Sequence, residues 1–233
     1  IKSVETLPEG TKTDTLLWTE KYVEKAEKMN LFNLNDSRDP FAPVSRGDFI
    51  RWLVKAKNYT LSPPTHSFED LEPTHPNYTY IMTAVEKGIV AKTALFHPND
   101  LLIRSDASLW LVQAHSEIAQ EKAKSITEPL IPAQDGYFEV SKEAIGSLTV
   151  CYLPQYQMME YRHRKDDDLR YIQPNAPIIL GETAYSLYQL THPPTQGGKI
   201  IAAVPMEPKT LFAGLDTMSV MTDIMSMVYE GTN

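Results

Sequence analysis

One stretch of this chain occurs twice. Arg46, Asp48, Trp52, Leu53, Val54 and Ala56 recur as Arg104, Asp106, Trp110, Leu111, Val112 and Ala114, each pair separated by 58 residues (104 − 46). The flanks agree, with Phe41-Ala42-Pro43 before the first window and Phe96-His97-Pro98 before the second. A repeat of this length constrains the fold more than composition does. One such unit cannot bury its apolar face alone, so copies must stack on one another around a shared core.

Each unit reads as helix, proline-bearing loop, helix. Leu17, Tyr22, Val23, Ala26 and Met29 form an apolar stripe between charged positions and predict a helix from about Leu16 to Met29. Ser45 followed by Asp48 resembles a capping box and opens a second helix from about Arg46 to Lys57. Pro63, Pro64, Pro73 and Pro76 exclude regular helix between Tyr59 and Pro76. The helical pattern restarts in residues 79–90, where Gly88 supplies a stop, and residues 104–124 read as one long amphipathic helix. A fainter third copy follows. Pro177 to Glu182 and the segment after it keep the proline, the apolar pair, a glycine and an acid, but Leu180 stands where the other copies have Arg. Its partner helix is expected around residues 140–148, and residues 149–171 form an insertion without a clear period.

Several classes of function are disfavoured. A net charge of −8 with no run of Lys and Arg argues against a general nucleic-acid binder. No stretch reaches the ~18 apolar residues of a membrane-spanning helix. Cys151 is the only cysteine, so a disulfide within the chain and a cysteine metal cage are excluded. The six histidines show no i, i+4 pair, and Asp166-Asp167-Asp168 lacks the glycine and distal Glu of a calcium loop. No nucleophile elbow, phosphate loop or dinucleotide fingerprint occurs, and no cofactor is expected.

The units resemble S-layer homology repeats. Phe68-Glu69-Asp70 and Gly88-Ile89 match the first part of that motif, while Ser45-Arg46-Gly47-Asp48 and Ile103-Arg104-Ser105-Asp106 match its Thr-Arg-Ala-Glu-like helix start. The resemblance covers residues 16–192. It implies a mainly α fold, a pseudo-threefold six-helix bundle of three repeats at 15–58, 59–124 and a degenerate 125–192, between a flexible leader (1–14) and a linker (193–198). It also implies a non-catalytic module of the extracytoplasmic cell envelope, whose inter-repeat grooves bind a peptidoglycan-linked, often pyruvylated, secondary polysaccharide.

An Arg at a helix start would offer a ketal carboxylate paired donors beside the positive end of the helix dipole and its free N–H groups. Arg46 and Arg104 are therefore the leading polysaccharide-binding candidates, joined by Asp48, Asp106, Asp70 and Trp18. Two alternatives remain open: the arginines could instead pair with Asp48 and Asp106, and Trp18 could pack in the core rather than stack on a sugar. Trp52 and Trp110, repeated in register, are expected to be packing residues.

After Gly197-Gly198 the composition changes. Residues 199–233 combine a strand-like KIIAAV, a proline turn and a Met-rich helical stretch from Thr217 to Tyr229. They resemble the opening of family 5 peptide-binding proteins of ABC importers, departing where Phe212-Ala213 replaces Asp-Pro. That implies a truncated solute-binding domain, a longer parent protein and an importer membrane component as partner. The alternative to wall anchoring is a module whose grooves hold another envelope protein.

Overall fold

The computed structural model describes residues 18–33, 35–128, 135, 140–162 and 170–194. The expected leader, residues 166–168, most of the linker and the solute-binding-like segment 199–233 lie outside them. The described chain is mainly helical: α1 (Glu20–Lys28), α2 (Arg46–Ala56), α3 (Tyr78–Glu86), α4 (Arg104–His115), α5 (Glu117–Ser125), α6 (Lys142–Tyr152) and α7 (Leu180–Thr191). β pairing among these residues is confined to isolated bridges.

The single helix expected over 104–124 is two helices, which raises the count from six to seven. Ser116 breaks it by taking an extended conformation (φ −163°, ψ 159°), and its hydroxyl accepts the Ala119 N–H at 3.2 Å. Serine bonds a backbone donor two or three residues ahead as readily as it tolerates helix, so a local cap defeats the amphipathic pattern. Ser45 and Ser141 start α2 and α6 in the same way, accepting from Asp48 N and Ala144 N. The expected capping box at Ser45 is half formed: its hydroxyl also donates to Asp48 Oδ2 at 2.8 Å.

Helix ends repeat too. Asn30 (φ 56°) closes α1 and Gly88 (φ 70°) closes α3, 58 residues apart (88 − 30). Nothing lies within 4 Å of where a Gly88 Cβ would be. Gly88→Ala should therefore cost about 1 kcal/mol of unfolding free energy through left-handed strain alone, read as a lower urea midpoint at unchanged slope.

The segments leading into α2, α4 and α7 meet in a closed ring of backbone hydrogen bonds. Val44 N–H donates to Ile178 O (3.1 Å), Ile178 N–H to Leu102 O (2.9 Å) and Leu102 N–H to Val44 O (2.9 Å). Beside the ring, the first N–H of each helix is taken: Arg46 by Asp100 O, Arg104 by Ala176 O and Leu180 by Ala42 O, at 2.9, 3.0 and 2.8 Å. The second is taken as well, Gly47 by Pro98 O, Ser105 by Pro174 O and Gly181 by Pro40 O. Helix starts normally carry unpaired donors. Here neighbouring segments fill two at each start, so the free N–H groups expected to greet an anion are already occupied.

Around the ring α1 packs on α7, α3 on α2 and α6 on α4. Val44, Leu102 and Ile178 are 2% exposed or less, and Phe49, Leu53 and Leu111 are fully buried beside them. Burial of each such side chain stabilises by roughly 1.5–3 kcal/mol. Trp52 and Trp110 are core residues as expected, 5% and 7% exposed, with Trp110 stacked on Phe96.

Candidate functional site

The paired arginines reach across from one unit to the next. Arg46 sends Nη1 to Asp106 Oδ2 (2.6 Å) and Nε to Phe96 O (2.9 Å). Arg104 repeats both contacts one unit on, with Nη1 to Glu182 Oε1 (2.7 Å) and Nε to Ile172 O (2.7 Å). One candidate acid, Asp106, is thus the partner of a candidate cation, Arg46. Each cation pairs with the helix-start acid of the next unit, rather than with the acid two residues along its own helix.

The two sites differ in exposure, and this corrects one expectation. Arg104 is 1% exposed, and its Nη2 also donates to Tyr152 Oη (2.6 Å) and Glu160 O (2.8 Å). Its guanidinium is sealed in the interior, where it holds units together and cannot reach a polymer outside. Arg162, with 0% exposure, clamps the same carboxylate from the other side, Nε to Oε1 and Nη2 to Oε2, both at 2.6 Å. Burial alone would push the Glu182 carboxyl up; Arg104 and then Arg162 outweigh it and hold it at about 2. Burial works against the charged form of Arg104, and the Glu182 carboxylate beside it more than offsets that.

Arg46 remains partly open. Its side chain is 22% exposed, its guanidinium lies 4.8 Å over the Trp110 ring, and Nη2 makes no hydrogen bond among the described residues. Asp106, its partner, is 36% exposed. Asp48 is the acid that Leu180 leaves without a cross-unit cation. It is held instead by Asn77 Nδ2 (3.0 Å), Arg51 Nη2 (3.1 Å) and the Ser45 hydroxyl.

Asp70 does a backbone task, accepting Phe96 N–H (2.9 Å) and His97 N–H (2.6 Å). Burial would raise its carboxyl, and these two donors outweigh it and hold the group below the ordinary range. Asp135 accepts Ile172 N–H and Gln173 N–H in the same manner, 76 residues further along the loops (172 − 96). Asp70 therefore shapes the loop that receives Arg46.

Trp18 stands apart from all of these, at the mouth of a cleft of about 610 Å³ between α1, α7 and the segment after α6. Its ring packs edge-on against Tyr22 (5.8 Å) and Tyr185 (5.0 Å), and Tyr161 completes the aromatic lining. Gln157, Glu160 and Gln189 supply the polar groups. The Tyr185 hydroxyl lies 2.8 Å from Gln157 O and 3.0 Å from Glu160 Oε1, and it accepts from Gln189 Nε2 at 3.1 Å. Burial pushes the Tyr185 phenol up, so it stays protonated at neutral pH. A second cleft of about 350 Å³ shares Gln157, Glu160 and Tyr161 and ends at Arg170.

Sequence reasoning found Trp18 but none of its neighbours. The i, i+4 spacings Trp18/Tyr22 and Tyr185/Gln189 were the available signal, the second placing two side chains on one face of α7. Glu160 and Tyr161 sit in the insertion, where no period indicates direction.

No helix among the described residues is long and apolar enough to cross a membrane. No curated protein matches the chain. A family comparison does: residues 67–108, which carry Asp70, α3, the loop under Arg46 and the start of α4 from Arg104, match the S-layer homology domain. This stretch is therefore similar to the S-layer homology domain, a non-catalytic kind of module that generally anchors to the secondary polysaccharide of the cell wall.

Proposed function

We propose that the chain is a three-unit wall anchor that binds a peptidoglycan-linked secondary polysaccharide outside the cytoplasmic membrane. The observation that carries this reading is the S-layer homology match at residues 67–108. Two features support extending it to both sides: the ring at Val44, Leu102 and Ile178, and the cross-unit contacts made alike by Arg46 and Arg104. On this reading α1 with α2, α3 with α4 and α6 with α7 form a pseudo-threefold six-helix bundle, and α5 is an addition to the second unit. Residues 199–233 would open a solute-binding domain, so that the anchor tethers an importer component; their likeness to peptide-binding proteins supports this, and the intact mass of the native protein tests it.

Arg46 is the cation that meets an anionic substituent such as a pyruvyl ketal. It is the candidate arginine with exposed surface, an unengaged Nη2 and an aromatic face beneath it. Sedimentation of the purified protein with sacculi from the producing organism should fall when Arg46 is changed to Ala. The expected loss is roughly 10- to 100-fold in affinity, the scale of one charge-assisted hydrogen-bonding group. Undiminished retention would remove Arg46 from the site. Equal binding to sacculi stripped of secondary polysaccharide would favour a protein partner, and a clearing zone in a wall-substrate gel would overturn the non-catalytic assignment.

A further inference from the structure

We infer that Asp106 is an internal stand-in for the ligand: its carboxylate occupies Arg46 in the free protein and is displaced by a carboxylate of the wall polymer. This rests on the anchoring function proposed above, with Arg46 as its cation, and adds an autoinhibitory contact that the ligand must exchange.

The same contact occurs twice with opposite consequences. Glu182 takes Arg104 Nη1 at 2.7 Å, its side chain is 7% exposed, and Arg162 grips both of its oxygens. A group outside the protein has no path to replace it. Asp106 takes Arg46 Nη1 at 2.6 Å, and here the side chains are 36% and 22% exposed. Among the described residues that is the one side-chain hydrogen bond Asp106 makes. Asp48, at the equivalent position of α2, is held by Asn77, Arg51 and Ser45 together. Of the three helix-start acids, Asp106 is therefore tied most loosely and lies open to solvent.

Arg46 does not depend on Asp106 to keep its place. Its Nε donates to Phe96 O at 2.9 Å, and its guanidinium lies 4.8 Å from the Trp110 ring and 5.4 Å from the Phe96 ring. When Asp106 turns away, Nη1 and Nη2 become an open fork on a guanidinium that is already positioned. A planar carboxylate fits such a fork with two parallel hydrogen bonds, one more than Asp106 makes.

The exchange is energetically accessible. Water competes for both members of an exposed Arg–Asp pair, which leaves the pair weak. An incoming carboxylate restores the ion pair and adds a bond through Nη2. An uncharged hydroxyl would trade an ion pair for a neutral hydrogen bond and so does not displace Asp106. The contact thus admits a carboxylate and turns away neutral sugar groups.

The test is sedimentation of the full chain with sacculi from the producing organism, comparing wild type, Asp106→Asn, Asp106→Ala, Arg46→Ala and the Arg46→Ala/Asp106→Asn double variant. Urea midpoints accompany each protein. Affinity is reduced by the fraction of molecules whose Arg46 is already occupied, so Asp106→Asn and Asp106→Ala should each bind roughly three- to tenfold more tightly than wild type. Their midpoints should stay near that of wild type, and the gain should vanish in the double variant. Asp106 variants that fold as wild type and bind no more tightly overturn the inference while leaving the anchoring function standing. Midpoints lowered in both variants overturn it as well, because the contact is then structural. A gain that survives in the double variant overturns it in favour of a general effect of net charge. Wild-type protein that fails to sediment, or Arg46→Ala that binds undiminished, overturns the function proposed above and the exchange with it.

Discussion

Changing Glu182 to Gln should remove about 3–5 kcal/mol of unfolding free energy, the scale seen when one partner of a buried ion pair is deleted. Two guanidiniums share this carboxylate, and the three side chains, Arg104, Arg162 and Glu182, are 1%, 0% and 5% exposed. Gln keeps the shape and one acceptor but turns an amide N–H toward groups that are themselves donors. Two cations would then sit in the interior with hydrogen bonds to Ile172 O, Glu160 O and Pro177 O and no counter-charge. Urea denaturation at pH 7 measures the effect; a variant within about 0.5 kcal/mol of wild type would refute this account of the cluster.

The same residue sets an acid limit. Its carboxyl is held at about 2, below the ordinary 4.5 of a glutamate, so it binds fewer protons in the folded state than in the unfolded one. A depressed pKa contributes stability that is fully present above about pH 4.5 and is lost as pH falls from there towards about 2. Wild type should therefore lose stability through that window, while Glu182→Gln, already destabilised, should lose less over the same range. Parallel pH profiles for the two proteins would show that the carboxylate is not the titrating group.

Gly146→Ala should be nearly as damaging for a steric reason. Gly146 lies in α6 where the helix presses on α5, and a Cβ there would fall onto the Ala123 carbonyl and 3.1 Å from Ile126 O. Backbone atoms cannot rotate aside as a side-chain end can, so the two helices must part. Overpacking of this kind costs about 1–3 kcal/mol, and a backbone clash belongs at the upper end. The thermal midpoint should drop by several degrees, and faster amide exchange should be concentrated in α5 and α6. A fall like that expected for Gly88→Ala, with exchange unchanged in α5, would mean that α5 yields without cost.

The site was legible where chemistry and local structure coincide. Arg46 and Asp106 were singled out as repeated charges, and the structure brings them to 2.6 Å of each other. Trp18 was marked as open to either fate, and it is half-buried at a cleft. Arg104 was misjudged because its sequence neighbourhood copies that of Arg46. What buries it is Tyr152, Glu160 and Ile172, which lie 48, 56 and 68 residues further along the chain, where no local pattern ties them to it. The split at Ser116 was missed because helical periodicity runs through both α4 and α5, and one capping hydroxyl outweighs it.

By itself the sequence determined the 58-residue repeat and the starts of α2 and α4, because apolar period, caps and motif are properties of neighbouring residues. Only the tertiary structure decided which of the two repeated arginines keeps exposed surface. A guanidinium's availability depends on what folds over it, and Arg46 and Arg104, alike in sequence, differ because Tyr152, Glu160 and Ile172 close over Arg104 alone.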